Sequence, residues 1–114
     1  MDGTARVAVT YLFSRACPSH EEGLELLRDA AAAAGVRVDV TPVEVLTDAQ
    51  AEQARFPGSP TYLLAGRDPF APAAPEHDFQ FDACRAYARP GGRIGPLPHR
   101  DDLVAALRAA KETP

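Results

Sequence analysis

A cysteine followed three residues later by a histidine is the pairing most suited to chemistry in this sequence. Cys17 and His20 lie in the segment ACPSH, residues 16–20, between an apolar run and a stretch with helical periodicity. A thiol at the join between a strand and a helix N-terminus lies where backbone N–H groups and the helix dipole favour negative charge, and the pKa of such thiols is often lowered. The pair therefore predicts nucleophilic thiol chemistry at Cys17, which needs a sulfur that solvent can reach.

His20 has two interpretations. It lies close to one helical turn beyond Cys17, so its imidazole is expected within reach of the sulfur. As imidazolium it would stabilise a thiolate, and as a neutral base it would take the thiol proton. The alternative is a solvated histidine in the first turn of the helix.

Cys84 is the second of two cysteines. It falls in a predicted strand, on the same face as Ala86 and Ala88, and free cysteine is often buried as a small apolar residue. A core thiol is therefore the expectation. The alternatives are a resolving thiol for Cys17 or a second ligand for a soft metal ion. A disulfide needs Cα atoms within about 7 Å, a distance that sequence alone does not supply.

A thiolate and imidazole set of the kind that zinc, copper(I) or mercury(II) accepts would comprise Cys17, His20, Cys84 and His77. Only the first two are close in sequence, and the spacing matches no zinc ribbon or finger. We therefore expect no tight structural metal site and no resident cofactor.

The elements that must position these residues follow from periodicity. Residues 6–14 form a nearly continuous β-branched and aromatic run, which is typical of a strand buried on both faces. A helix that begins at Pro18 or Ser19 follows, with acidic residues in its first turn, and it stops at Gly35. Residues 36–40 then alternate as a strand does. Strand, helix and strand at this spacing predict a βαβ unit with parallel strands.

The second half of the chain predicts four further elements and a proline-rich loop. They are a short helix from Thr47 or Asp48 to about Arg55, a strand at 61–65, a loop at 69–76, a half-exposed strand at 82–89 expected to be antiparallel to the one before it, and an amphipathic helix at 99–111. The order β-α-β-α-β-β-α predicts one α/β domain, residues 1–114, with a mixed four-stranded sheet flanked by helices.

Charge and hydropathy exclude several classes of function. Twelve basic and sixteen acidic side chains give a net charge of −4 with mixed signs, so there is no basic stripe for nucleic acid. The apolar run near the N-terminus is too short for a signal core or a membrane span. We expect a cytoplasmic protein without membrane association, whose cysteines rest mainly as thiols.

The chain resembles the thioredoxin-like superfamily over roughly residues 6–110. Its two signatures are the Cys-Pro-Ser-His segment at 17–20 and the Ser-Pro-Thr step at 59–61. The resemblance implies a nucleophile at Cys17, a cis-proline at Pro60 facing the thiol, and backbone polar groups of Ser59 offered to a bound peptide or thiol. The other implied binding positions are Pro18, Ser19 and Thr61. Segments 58–67 and 84–87 also resemble small bacterial thioredoxin-like proteins often labelled alkylmercury lyase-like.

One position departs from the superfamily motif. His20 stands where the second cysteine would be, so no disulfide can form within the motif. The implied function is a monothiol one, a possible thiol-disulfide oxidoreductase that works through a mixed disulfide at Cys17. Its partner would be a low-molecular-weight thiol or a protein thiol or disulfide. The alternative is a non-catalytic module of the same fold that holds a soft metal ion or a protein partner.

Overall fold

Three helices and five short strands make up the part of the chain that the computed structural model describes, residues 5–70 and 79–111. In chain order they are β1 (Arg6–Phe13), α1 (His20–Ala34), β2 (Arg37–Glu44), α2 (Asp48–Ala54), β3 (Thr61–Leu64), β4 (Tyr87–Arg89), β5 (Arg93–Gly95) and α3 (Arg100–Lys111). A single 3₁₀ turn, Pro90–Gly92, joins β4 to β5. The architecture is mixed α/β.

The first strand is the centre of a three-stranded sheet of order β2-β1-β3. β1 runs parallel to β2 along its whole length, with Arg6 opposite Arg37. It runs antiparallel to β3, with Tyr11 opposite Tyr62. The parallel pair is the predicted βαβ unit, since α1 supplies the crossover that parallel neighbours require.

The predicted four-stranded sheet is wrong for the described residues. β4 pairs with β5 in a separate two-stranded ribbon and not with β3. The predicted strand at 82–89 shortens to β4 and one isolated parallel bridge between Ser59 and Cys84. Residues 83–85 hydrogen-bond to the loop that precedes β3, and this pairing takes them away from the edge of β3.

The two faces of the sheet carry separate apolar clusters. The larger one packs α1 and α3 against β1, and its members include Val7, Val9, Tyr11, Leu27, Ala30, Tyr62, Leu103 and Leu107. The smaller one lies on the side of α2 and contains Leu12, Val45, Ala51 and Phe56. Because β1 contributes to both clusters, packing on both faces of the sheet holds the strand in place. The loop that follows its C-terminal end is therefore anchored.

The helix boundaries follow local signals. α1 begins at His20, one or two residues later than predicted, with Ser19 as N-cap, and it ends as predicted at Gly35, whose φ of 71° is left-handed. Thr47 caps α2 by accepting the backbone N–H of Gln50. No helix in residues 5–70 and 79–111 has the length and apolar character to cross a membrane.

Candidate functional site

Cys17 lies in the tight turn between β1 and α1. Its backbone N–H donates to the carbonyl of Ser14 at 3.1 Å, and the Ser14 hydroxyl accepts the N–H of Ala16 at 3.2 Å. The turn holds Cys17 just before the N-terminus of α1, as predicted. However, the residue is only 1% exposed. The expectation of a solvent-accessible sulfur at Cys17 is therefore wrong for this conformation.

The turn that precedes β3 covers the Cys17 sulfur. The peptide bond between Ser59 and Pro60 is cis, as the resemblance implied. The Cys17 thiol donates to the Ser59 carbonyl, with the sulfur 3.6 Å from the oxygen. The Ser59 hydroxyl accepts the N–H of Ser14 at 2.9 Å, so Ser59 connects both loops. Thr61 closes the turn from the other side by donating its hydroxyl to the Gly58 carbonyl.

The backbone of Ser59 is fully used by the chain itself. Its N–H donates to the Ala83 carbonyl at 2.8 Å, and its carbonyl accepts the Arg85 N–H at 3.1 Å. The implied binding groups at Ser59 are thus occupied by residues 83–85. Gly58 permits this approach, since an added Cβ would lie 2.6 Å from the backbone N and Cα of Arg85.

Arg85 anchors the segment from inside the protein. It is 5% exposed, and its guanidinium donates to the Asp68 carboxylate at 2.6 and 3.2 Å and to the Thr61 hydroxyl at 3.3 Å. It also lies over the Tyr87 ring, with its central carbon 4.4 Å from the ring centroid. A buried guanidinium is tolerated here because the carboxylate, the hydroxyl and the ring face all compensate its charge.

Cys84 is exposed, so the predicted core thiol is wrong. The alternation along residues 83–88 is as predicted, but its two faces are exchanged. Arg85 and Tyr87 are buried, while Cys84, Ala86 and Ala88 are exposed. The reason is the ion pair of Arg85 with Asp68, which allows the charged side chain to point inward and turns the small residues outward.

The two cysteines meet at Ser59. The Cys17 thiol donates to the Ser59 carbonyl, Cys84 forms a β-bridge with Ser59, and the two free thiols lie within interaction range of each other. The interaction with the Cys17 side chain is the largest cause that raises the pKa of Cys84 to about 11, with smaller contributions from burial and from negative charge on Cys17. The Cys84 thiol is therefore protonated at neutral pH. The structure brings together the two sulfurs that the sequence left apart.

Within the described part of the chain, His20 makes no interaction with the Cys17 sulfur. Its Nδ1 lies 3.0 Å from the Cys17 carbonyl oxygen, and its ring stacks on Phe13 with centroids 5.5 Å apart. A carbonyl only accepts hydrogen bonds, so Nδ1 carries the proton. His20 therefore fixes the turn that holds Cys17. Pro18 is exposed and Ser19 is half-buried at the N-cap of α1.

Three tyrosine hydroxyls fix the backbone around the site, a role that the sequence did not reveal. Tyr11 donates to the His20 carbonyl, Tyr62 to the Gly23 carbonyl at 2.7 Å, and Tyr87 to the Pro60 carbonyl at 2.5 Å. Burial raises the pKa of each of them, and for Tyr11 negative charge on Cys17 adds to the effect. They are therefore neutral donors at any physiological pH. Tyrosines in strands also occur as ordinary core residues. The sequence pattern alone therefore did not indicate that their hydroxyls bind the backbone.

Metal ligands are sparse at the site. In residues 5–70 and 79–111, no three side chains of His, Cys, Asp or Glu come together as a metal site would need. His77, a member of the predicted set, lies outside the described residues. The ligands available for a soft ion are thus the two sulfurs of Cys17 and Cys84.

No protein-family model, no curated protein and no solved structure matches the chain. The geometry of the two thiols and of the cis-proline turn is therefore the basis for assigning a function.

Proposed function

We propose that this protein is a thioredoxin-like thiol redox protein in which Cys17 and Cys84 cycle between two thiols and one disulfide. The observation that carries the proposal is the placement of both cysteines against Ser59: the Cys17 thiol donates to its carbonyl, Cys84 forms a β-bridge with it, and the two thiols interact. A disulfide between them requires that their Cα atoms lie within about 7 Å and that the Cβ atoms approach in a suitable orientation, and two interacting thiols are close to meeting that requirement.

The surroundings of Cys17 support the thioredoxin-like part of the proposal. The cysteine follows the central strand and precedes the first helix, and a cis-proline turn lies across from it. β3 is antiparallel to β1, and β2 is parallel to it. The Cys-x-x-His motif alone pointed to a monothiol cycle at Cys17. Contact with Cys84 supplies the second thiol that the motif lacks.

The redox step balances with a disulfide as the oxidant. One protein thiolate attacks the substrate disulfide RSSR, which forms a mixed disulfide and releases RS⁻. The other protein thiolate then attacks the protein sulfur of the mixed disulfide and releases the second RS⁻. The two protons of the protein thiols end on the two released thiols. The protein pair is oxidised, and the substrate disulfide is reduced.

The proposal is tested by equilibrating the protein with glutathione and glutathione disulfide, quenching with acid and measuring the intact mass. The wild type is expected to lose two hydrogens and to retain no glutathionyl group. Cys17→Ser and Cys84→Ser are the matched controls, and each is expected to retain one glutathionyl group or to stay unmodified. A wild type that accumulates a mixed disulfide, or only intermolecular dimers, would contradict the proposal.

A second candidate function, supported by the same contact, is a binding module for a soft metal ion. Two adjacent thiolates suit ions such as copper(I) or mercury(II), which prefer sulfur ligands. Two results together would favour this function. One bound ion would protect both thiols from alkylation, and the protein would form no internal disulfide under oxidation. Loss of binding in both serine variants would assign the ion to the pair.

A further inference from the structure

We infer that external thiols exchange with the oxidised pair at Cys84, and that their class is low-molecular-weight thiols. The inference rests on the proposed redox cycle, because it assigns the order of its steps and the size of its partner. It reverses the order that the Cys-x-x-His motif alone suggested, in which Cys17 meets the partner.

The two sulfurs differ in access. Cys84 is exposed, whereas Cys17 is 1% exposed and its sulfur contacts the Ser59 carbonyl. Thiolate attack on a disulfide proceeds in line with the bond that breaks, and its rate depends on which sulfur can be reached. Attack on Cys84 comes from the side away from Cys17. Attack on Cys17 would have to come from the side away from Cys84, through buried protein.

The occupied backbone of Ser59 limits the size of the partner. An extended peptide adds to a protein by pairing its backbone with free N–H and carbonyl groups. At Ser59 both groups already bind residues 83 and 85, and the ion pair of Arg85 with Asp68 holds that segment in place. A partner that needs only the exposed sulfur of Cys84 remains suitable. Small thiols meet that requirement.

Reduction of the protein disulfide consumes two small thiols. A thiolate RS⁻ attacks Sγ of Cys84, the bond between Cys17 and Cys84 breaks, and its electron pair leaves on the Cys17 sulfur, which takes a proton. A second RS⁻ attacks the R sulfur of the mixed disulfide and releases Cys84 as a thiolate, which takes the second proton. Two small thiols are oxidised to RSSR, and the protein disulfide is reduced to two thiols.

The position of exchange is tested with the reduced single variants and glutathione disulfide. In Cys17→Ser, Cys84 is expected to take up a glutathionyl group ~10-fold or more faster than Cys17 does in Cys84→Ser, because access differs. In denaturant the two variants are expected to react at similar rates, which shows that the folded structure causes the difference. Equal rates in the folded proteins, or faster reaction of Cys17, would overturn the inference.

The size of the partner is tested on the oxidised wild type. Glutathione is expected to reduce it faster than an extended peptide with a single cysteine, at equal thiolate concentrations. Faster reduction by the peptide would overturn this part of the inference. If no internal disulfide forms in the wild type at all, the proposed function fails instead, so the two failures are distinguishable.

Discussion

The guanidinium of Arg85 donates two hydrogen bonds to the carboxylate of Asp68, and this ion pair determines which way the neighbouring Cys84 faces. Both side chains are nearly buried, at 4% and 11% exposed. Arg85 turns inward over Tyr87, so the residue before it turns outward. An interaction that involves no sulfur thus determines that Cys84 is the exposed thiol of the pair.

Asp68→Asn is expected to lower the free energy of unfolding by about 3–5 kcal/mol, because it leaves the buried guanidinium without a counter-charge. Urea denaturation measures the change. Asp39→Asn is the matched control, since the Asp39 pair with Arg6 is more than half exposed on both sides, and exposed pairs contribute about 1 kcal/mol or less. Equal effects of the two substitutions would show that Arg85 does not depend on Asp68.

Gly58→Ala is expected to cost about 3 kcal/mol or more, because φ is +144° and the new methyl group meets the backbone of Arg85. Gly66→Ala is the control, as its φ of +83° is also unfavourable but nothing lies within 4 Å of the added carbon. That control should cost only about 1–2 kcal/mol. Gly58→Ala should also slow formation of the internal disulfide, which Gly66→Ala should leave unchanged. A larger loss of stability in Gly66→Ala than in Gly58→Ala would contradict the close approach of Gly58 to the backbone of Arg85.

The pH dependence of Cys84 alkylation reports its interaction with Cys17. The interaction with Cys17 is the largest of three causes that raise the pKa of Cys84 from 9.0 to about 11, and burial and negative charge on Cys17 are the other two. The rate of alkylation by iodoacetamide should therefore keep increasing up to about pH 11. A shift of two pKa units means about 100-fold less thiolate at any pH below both values.

Cys17→Ala removes the partner in that interaction. Burial still raises the pKa, so the midpoint of the Cys84 profile should move only part of the way down toward 9.0, and alkylation at pH 8 should become on the order of 10-fold faster. The modified peptide identifies Cys84 as the site. Identical profiles in wild type and variant would show that the two thiols do not share a proton.

His20→Asn tests whether the histidine acts on the thiol or on the turn. Its Nδ1 binds the Cys17 carbonyl, so disulfide formation should change by less than about 10-fold, well short of the roughly 10²-fold or larger loss caused by removing a general base. The asparagine amide retains a donor for the carbonyl. A decrease of roughly 10²-fold or more in the rate of disulfide formation would assign a proton-transfer role to His20, if the pH–rate profile also lost an ionisation near neutral pH.

Local patterns predicted much of the first half of the chain. The apolar run of β1, the stop at Gly35 and the alternation of β2 each depend on neighbours in sequence, and β1 pairs in parallel with β2 as expected. The cis bond before Pro60, which the structure has, was implied by the resemblance at the Ser-Pro-Thr step and not by periodicity. The strand and helix features needed no long-range information.

Long-range contacts account for what was missed. Placing small residues inward and charges outward was wrong at residues 84–88, because Arg85 finds Asp68 seventeen residues away in the chain. The same segment pairs with Ser59 instead of adding to the edge of the sheet. The sheet of β2, β1 and β3 therefore has no fourth strand in the described residues. The burial of Cys17 depends on Ser59, 42 residues away in the chain. Sequence periodicity carries none of these pairings.

Peptide mapping of the oxidised wild type tests the contact between the two cysteines most directly. Trypsin cleaves after Arg15, Arg28, Arg67 and Arg85, which places Cys17 in peptide 16–28 and Cys84 in peptide 68–85. After mild oxidation and blocking of free thiols, the expected product is one species that joins these two peptides and separates on reduction. Recovery of both peptides singly, each with a blocked or capped thiol, would contradict the proposed redox pair.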